Sequence, residues 1–194
     1  MLASDTKLLP AVGFLTVIEH PEHGFFGGFL VLNAMARPLE FHCTAPVRPN
    51  RAQEILYGTT LRPFLIGEHI GNALVQKAKT KIQLICTDLE PAIAVRNVNS
   101  TPVILLCSNS EEGESSTPVP RALRVDERHP EVPATSRPLV RFQLGTHEVA
   151  IPDAYEADRT AVEKCFKVCD GTLDLTEPFE RIREAIEEAQ KSAR

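Results

Sequence analysis

The sequence predicts an α/β fold, and three observations carry that expectation. Residues 11–45 hold three apolar runs joined by short turn-forming stretches, the pattern of an antiparallel three-strand meander. Two helical patterns follow in residues 50–79. Two short, almost wholly apolar runs, 82–87 and 102–107, then flank a polar stretch with Glu90-Pro91 at a plausible helix start. Strands buried on both faces read as continuous apolar runs, and a connection of about a dozen residues is what a parallel crossover minimally needs. An α+β arrangement of the same elements is the alternative.

Taken in order, the first strands are expected at 11–19, 25–33 and 38–44, with turns at 20–24 and 34–37. If the hairpins close there, Glu40, His42 and Thr44 share a face with Leu15, Val17, Phe29 and Val31. Leu39, Phe41 and Cys43 then share the other face with Phe14, Ile18, Leu30 and Leu32, because side chains alternate along a strand. Both faces are largely apolar, so each is expected to be covered. The first helix opens at Asn50, with Gln53 three residues on as a capping box, and closes at Gly58. The second runs from Leu61 to about Lys79, with Phe64, Leu65, Ile70, Ala73, Leu74 and Ala78 at helical spacing. Gly67 and Gly71, four apart on it, imply close approach by another element.

Residues 108–138 change character: Glu111, Glu112 and Glu114 stand among serines, followed by five prolines. Such a segment buries too little apolar surface to offset its ordering entropy, so a linker or mobile loop is expected. Beyond it, 139–144 and 147–151 alternate around Gly145-Thr146, the two-residue turn of a hairpin. Helical patterns close the chain at 155–169 and 177–190, the second with a narrow stripe of Phe179, Ile182, Ala185, Ile186 and Ala189. That stripe packs on the domain or on a second copy. The organisation read from the chain is therefore a main α/β domain at 1–107, the linker at 108–138, and a hairpin with two helices at 139–194.

Composition bounds the function. With 194 residues, 43% of them hydrophobic, the chain can build a good core. No run reaches the roughly 18 to 20 apolar residues that cross a bilayer, and the first ten residues lack the pattern of a signal peptide. Its five cysteines are odd in number and lie in apolar segments, as reduced thiols do in a reducing compartment. A cytoplasmic protein without a membrane partner is expected. The net charge of −5 is most negative in 139–194, which hold eight Lys/Arg against twelve Asp/Glu. Nucleic acid is not an expected partner on this balance, and such binding would lean on Arg48, Arg51 and Arg62.

Candidate sites are few. Glu40 and His42 project from one strand on the same side among apolar neighbours, where partial burial would shift a general acid and base pair. Cys43 points to the opposite face, which disfavours a Cys-His nucleophile. Asp88, Ser108 and Asn109 stand at the carboxyl ends of the crossover strands, where open α/β sheets bind ligands. His20 and His23, with Glu19 and Glu22, supply a weak metal-ligand set in a turn. Cys165 and Cys169 share one helical stripe and read as core. No Gly-rich phosphate loop or nucleophile elbow occurs, and no cofactor is predicted.

The segments Arg37-Pro-Leu-Glu-Phe-His-Cys-Thr-Ala-Pro-Val47 and Pro49-Asn-Arg-Ala-Gln-Glu-Ile-Leu-Tyr-Gly58 resemble an uncharacterised bacterial family whose members place a similar strand and helix after a Gly-Gly strand like that of Gly27-Gly28. The resemblance extends over residues 25–107 and includes Asp174-Leu-Thr-Glu-Pro-Phe-Glu-Arg-Ile182. It implies no activity. From the residues, the reading that needs least unseen chemistry is a non-enzymatic binding or regulatory module with a protein partner or a second copy of itself. The alternatives are a metal-dependent hydrolase or nuclease-like enzyme using Glu40, His42 and Asp88, and a nucleic-acid-associated protein.

Overall fold

The computed structural model describes residues 10–107, 138–169 and 173–192. The apolar runs of the N-terminal half form β1 (Ala11–His20), β2 (Gly24–Asn33) and β3 (Pro38–Cys43), an antiparallel meander. β4 (Ile82–Thr87) runs parallel to β1, and β5 (Val103–Leu106) runs parallel to β4. The hairpin is present as β6 (Leu139–Leu144) and β7 (His147–Pro152), turning at Gly145 with φ +65°, a conformation glycine adopts without penalty. β7 pairs antiparallel with β5, so the seven strands form one mixed sheet in the order β3-β2-β1-β4-β5-β7-β6. The α/β expectation holds. Residues before and after 108–137 share this sheet, while the expected linker itself, apart from Pro138, lies outside the described residues.

Register assigns the faces. Leu15 pairs with Phe29 and Phe29 with His42, while Val31 pairs with Glu40. That places Glu40 and His42 on the face whose core holds Leu15, Phe29, Val31 and Ile85 under Leu65, Ile66, Ile70 and Leu74. The opposite core holds Phe14, Leu32, Leu84, Ile104 and Ile151 under α3 (Asp158–Val168) and α4 (Glu177–Ser192). Cys165 and Cys169 are buried in that second core. Among the described residues, no helix is long and apolar enough to cross a membrane.

α1 (Arg51–Tyr57) starts as its capping box requires: the Gln53 N–H donates to Asn50 Oδ1 at 2.8 Å and the Asn50 N–H to Gln53 Oε1 at 3.0 Å. It ends at Gly58 with φ +50°. None of its residues is buried.

The longer helix differs from an ordinary α-helix. Pro63–Gly71 is wound as a π-helix, with the Asn72 N–H reaching back to the Gly67 carbonyl, before α2 (Asn72–Lys77) resumes the tighter winding. The connection between β4 and β5 is a 3-10 helix, Glu90–Asn97. These two elements press together at the glycines. A Cβ on Gly67 would stand 2.7 Å from Ala94 Cβ and 2.8 Å from the Val95 nitrogen; one on Gly71 would stand 2.9 Å from Leu15 Cδ2. Hydrophobic periodicity locates a helix but does not distinguish which of its turns hydrogen-bond five residues apart instead of four.

Candidate functional site

Alternation along β3 puts Glu40 and His42 side by side, and the local contacts of Glu40 determine what it can do. Its carboxylate accepts the Thr80 N–H at 2.6 Å, the Lys79 N–H at 3.0 Å, the Thr80 hydroxyl and His42 Nε2 at 2.8 Å. Thr80, then the Lys79 N–H, then His42 hold its pKa down to about 2. Both side chains are mostly covered, Glu40 being 16% exposed and His42 23%. A carboxylate that is ionised and saturated with donors accepts a further proton poorly. What it does instead is fasten the chain at 79–80 to the outer strand β3.

Asp88 follows β4, at the other end of that strand from Thr80. Six residues at about 3.3 Å each set the two carboxylates on the order of 20 Å apart, so Glu40 and His42 do not converge with Asp88. Asp88 instead meets Arg183 of α4 in a charge-assisted hydrogen bond. Its Oδ1 is buried without a partner among the described residues, as is Thr16 Oγ1. The parallel register Leu15↔Thr87 sets Thr16 beside Asp88 on the neighbouring strand. Thr16, Asp88 and Arg183 thus make a polar spot where the α4 layer meets the sheet. Thr16 had a signal in the sequence, as the one polar side chain in the run 11–18. Arg183 had none, since it joins Asp88 from 95 positions away. Ser108 and Asn109 lie outside the described residues.

His20 and His23 stack ring on ring at 4.5 Å in the β1–β2 turn, where His20 Nδ1 accepts the Glu22 N–H. Glu19 is turned to Arg62 at 3.0 Å. Among the described residues no three His, Cys, Asp or Glu side chains are grouped so as to hold a metal ion. The buried thiols are poorly suited to nucleophilic attack: burial pushes Cys86 up, and the hydrogen bond with Cys169 together with burial pushes Cys165 up.

Among the described residues, a sizeable concavity lies elsewhere. A groove of about 610 Å³ opens beside the end of α1, between the start of the π-helix, the 3-10 helix and the start of β6; Tyr57, Arg62, Phe64, Glu68, Pro91 and Leu139 contribute to it. The Tyr57 and Phe64 rings stack at 4.1 Å, and Phe64 in turn stacks on His69 at 6.2 Å. Arg62 is held by Glu19 and lies over the Phe25 ring at 5.7 Å, while Glu68 accepts from Asn97 at 2.9 Å. Next to this wall α1 leaves Leu56 81% and Ile55 67% exposed. The sequence carried a clue in Ile55-Leu56-Tyr57, three consecutive large apolar residues. On a helix, three in a row cannot all face one core.

No family model matches the chain, and no curated protein matches it. Among solved structures, it is similar to endonuclease V of Ciona intestinalis, crystallised as the D234N variant with a 23mer DNA containing an inosine followed by a ribo-adenosine. The identity is 14%, over 52% of this chain and 46% of that one, with a TM-score of 0.35. It is also similar to endonuclease V of Bacillus subtilis, at 11% identity over 54% of this chain and 46% of that one, with a TM-score of 0.34. The chain spans about half the length of these proteins, and a likeness this slight carries no functional argument.

Proposed function

We propose that this protein is a non-enzymatic binding module that takes an apolar, aromatic-containing segment of a partner protein into the groove beside α1. The observation that carries this reading is the stacked Tyr57–Phe64 wall continuing onto the exposed Ile55 and Leu56 of a helix with no buried residue. Contiguous apolar surface rimmed by polar groups marks interaction sites, and Arg62, Glu68 and Glu90 supply such a rim. The groove lies close to the carboxyl ends of β1 and β4, since Arg62 contacts Glu19 and Pro91 follows Asp88. Ligands of open α/β sheets favour that position. Cys86, Cys165 and Cys169 are buried and not in disulfides, which fits a reducing cytoplasmic setting.

The enzyme reading has less support, because Glu40 is engaged by Thr80 and Lys79 and Asp88 by Arg183. The test is selection of binders from a randomised peptide display, followed by calorimetry and backbone chemical-shift mapping. Peptides with aromatic or large aliphatic anchors are expected, with shifts centred on Tyr57 and Phe64. Leu56→Asp and Phe64→Ala should each weaken binding about tenfold or more, as truncation of a buried anchor does. Metal-dependent cleavage of nucleic acid that Asp88→Asn abolishes, with no peptide selected at the groove, would overturn the proposal in favour of a nuclease.

A further inference from the structure

The charges in the groove beside α1 narrow the kind of partner it fits. Among the described residues its lining holds one cation, Arg62, and two carboxylates, Glu68 and Glu90. Arg62 meets Glu19 at 3.0 Å and lies over the Phe25 ring at 5.7 Å, so its own charge is matched within the protein. Glu68 accepts the side-chain amide of Asn97 at 2.9 Å. That donor is neutral: it fixes the carboxylate in place and does not cancel its charge. Glu90 is exposed at the start of the 3-10 helix.

Ring faces attract cations as carboxylates do, because the π-system carries its negative charge above and below the ring. The protein already uses the two together: the Arg96 guanidinium lies over the Tyr155 ring at 4.1 Å while Asp158 accepts from its Nε at 2.7 Å. The groove repeats that pairing of ring and carboxylate. Phe64 and Glu68 stand four apart on the π-helix, and Tyr57, 36% exposed, stacks on Phe64. Taking the groove as the peptide site proposed above, we infer that the partner segment carries a basic residue beside its apolar anchor, with the cation held between the Tyr57–Phe64 wall and the carboxylates of Glu68 and Glu90. Arginine suits the position better than lysine, since a planar guanidinium stacks on a ring and bonds a carboxylate at once. An acidic segment would meet two like charges and the negative faces of the rings. The anchor supplies most of the affinity, and the cation selects among anchors.

The experiment is a randomised peptide display on the full chain, read for charge, with wild type set against the double variant Glu68→Gln and Glu90→Gln. Peptides taken by wild type should carry a basic residue next to the anchor severalfold more often than the starting library, and the double variant should lose that excess. In the tightest peptide, replacing its basic residue by glutamine should cost about tenfold in affinity on wild type and about twofold or less on the double variant. The wild-type difference should shrink in high salt. Anchors selected without a basic excess, or an excess that the double variant keeps, overturn this inference and leave the groove reading standing. A library from which no peptide is selected overturns both. Should the double variant fail to fold by circular dichroism, Glu90→Gln alone, at an exposed position, decides by the same comparison.

Discussion

Gly27 and Gly28 are neighbours in β2, yet they serve opposite faces. A Cβ on Gly27 would stand 2.3 Å from Ile70 Cγ2, in the π-helix layer, and one on Gly28 would stand 2.3 Å from Ile182 Cγ2, on α4. Both layers need a bare strand at this point, but they come close to their neighbours in different ways. The α4 layer meets the sheet through side chains of an ordinary α-helix, Phe179, Ile182 and Ile186. The other layer adds glycines of its own, and at Gly67 the nearest atoms include backbone of the 3-10 helix, the Val95 nitrogen at 2.8 Å and the Pro91 carbonyl oxygen at 2.9 Å. Ile182 is branched at Cβ and holds one rotamer in its helix, so a methyl at Gly28 is met by small shifts of α4 as a whole; at Gly67 the obstacles are backbone atoms and the Ala94 Cβ, with no longer side chain to give. The π-helix face is therefore the less forgiving of the two, and it is also the face that carries the groove.

Four substitutions sharpen this comparison. The largest effect is expected from Ile70→Ala and Ile182→Ala, each fully buried, at about 2–5 kcal/mol apiece in urea unfolding. Similar losses in a single transition would show the two layers to be one cooperative unit, and two separated transitions would break that picture. Next, Gly67→Ala should cost about 3 kcal/mol and Gly28→Ala nearer 1, within the range for overpacking. Equal costs in thermal denaturation would mean that the 3-10 helix yields as readily as α4.

The smallest effect belongs to Glu40→Gln, at about 1–2 kcal/mol for loss of charge-assisted hydrogen bonds. Its pH signature has a definite sign. Because folding lowers the Glu40 pKa from 4.5 to about 2, its contribution is complete above 4.5 and fades as the pH falls through 2. Acid titration of stability should be shallower in Glu40→Gln than in wild type over that window.

Much of the fold was legible in the sequence because it rests on local rules. The faces of β3 follow from alternation, α1 from its Asn50–Gln53 box, the last hairpin from Gly145-Thr146, and the parallel pair β4–β5 from two continuous apolar runs. What escaped was set by distant contacts. The π winding at Pro63–Gly71 accompanies close packing against the 3-10 helix, and the joining of β7 to β5 depends on pairing across residues 108–137. At the candidate sites, alternation exposed Glu40 and His42 but not Thr80, which sits 40 positions away. Tyr57 and Phe64 read as ordinary helical residues until tertiary structure stacked them into one wall.

The winding of Pro63–Gly71 bears on how the chain tolerates a change of length. A π-type bond spans one residue more than an α-type bond, so this stretch stores slack that a regular helix lacks. Removing one residue there would let the helix tighten while Leu74 and Val75 keep their places in the core. The shift would fall on the aromatic wall instead, turning Phe64 away from Tyr57. A shortened chain of this kind would fold and yet lose its groove, separating the scaffold from its recognition surface in a single deletion.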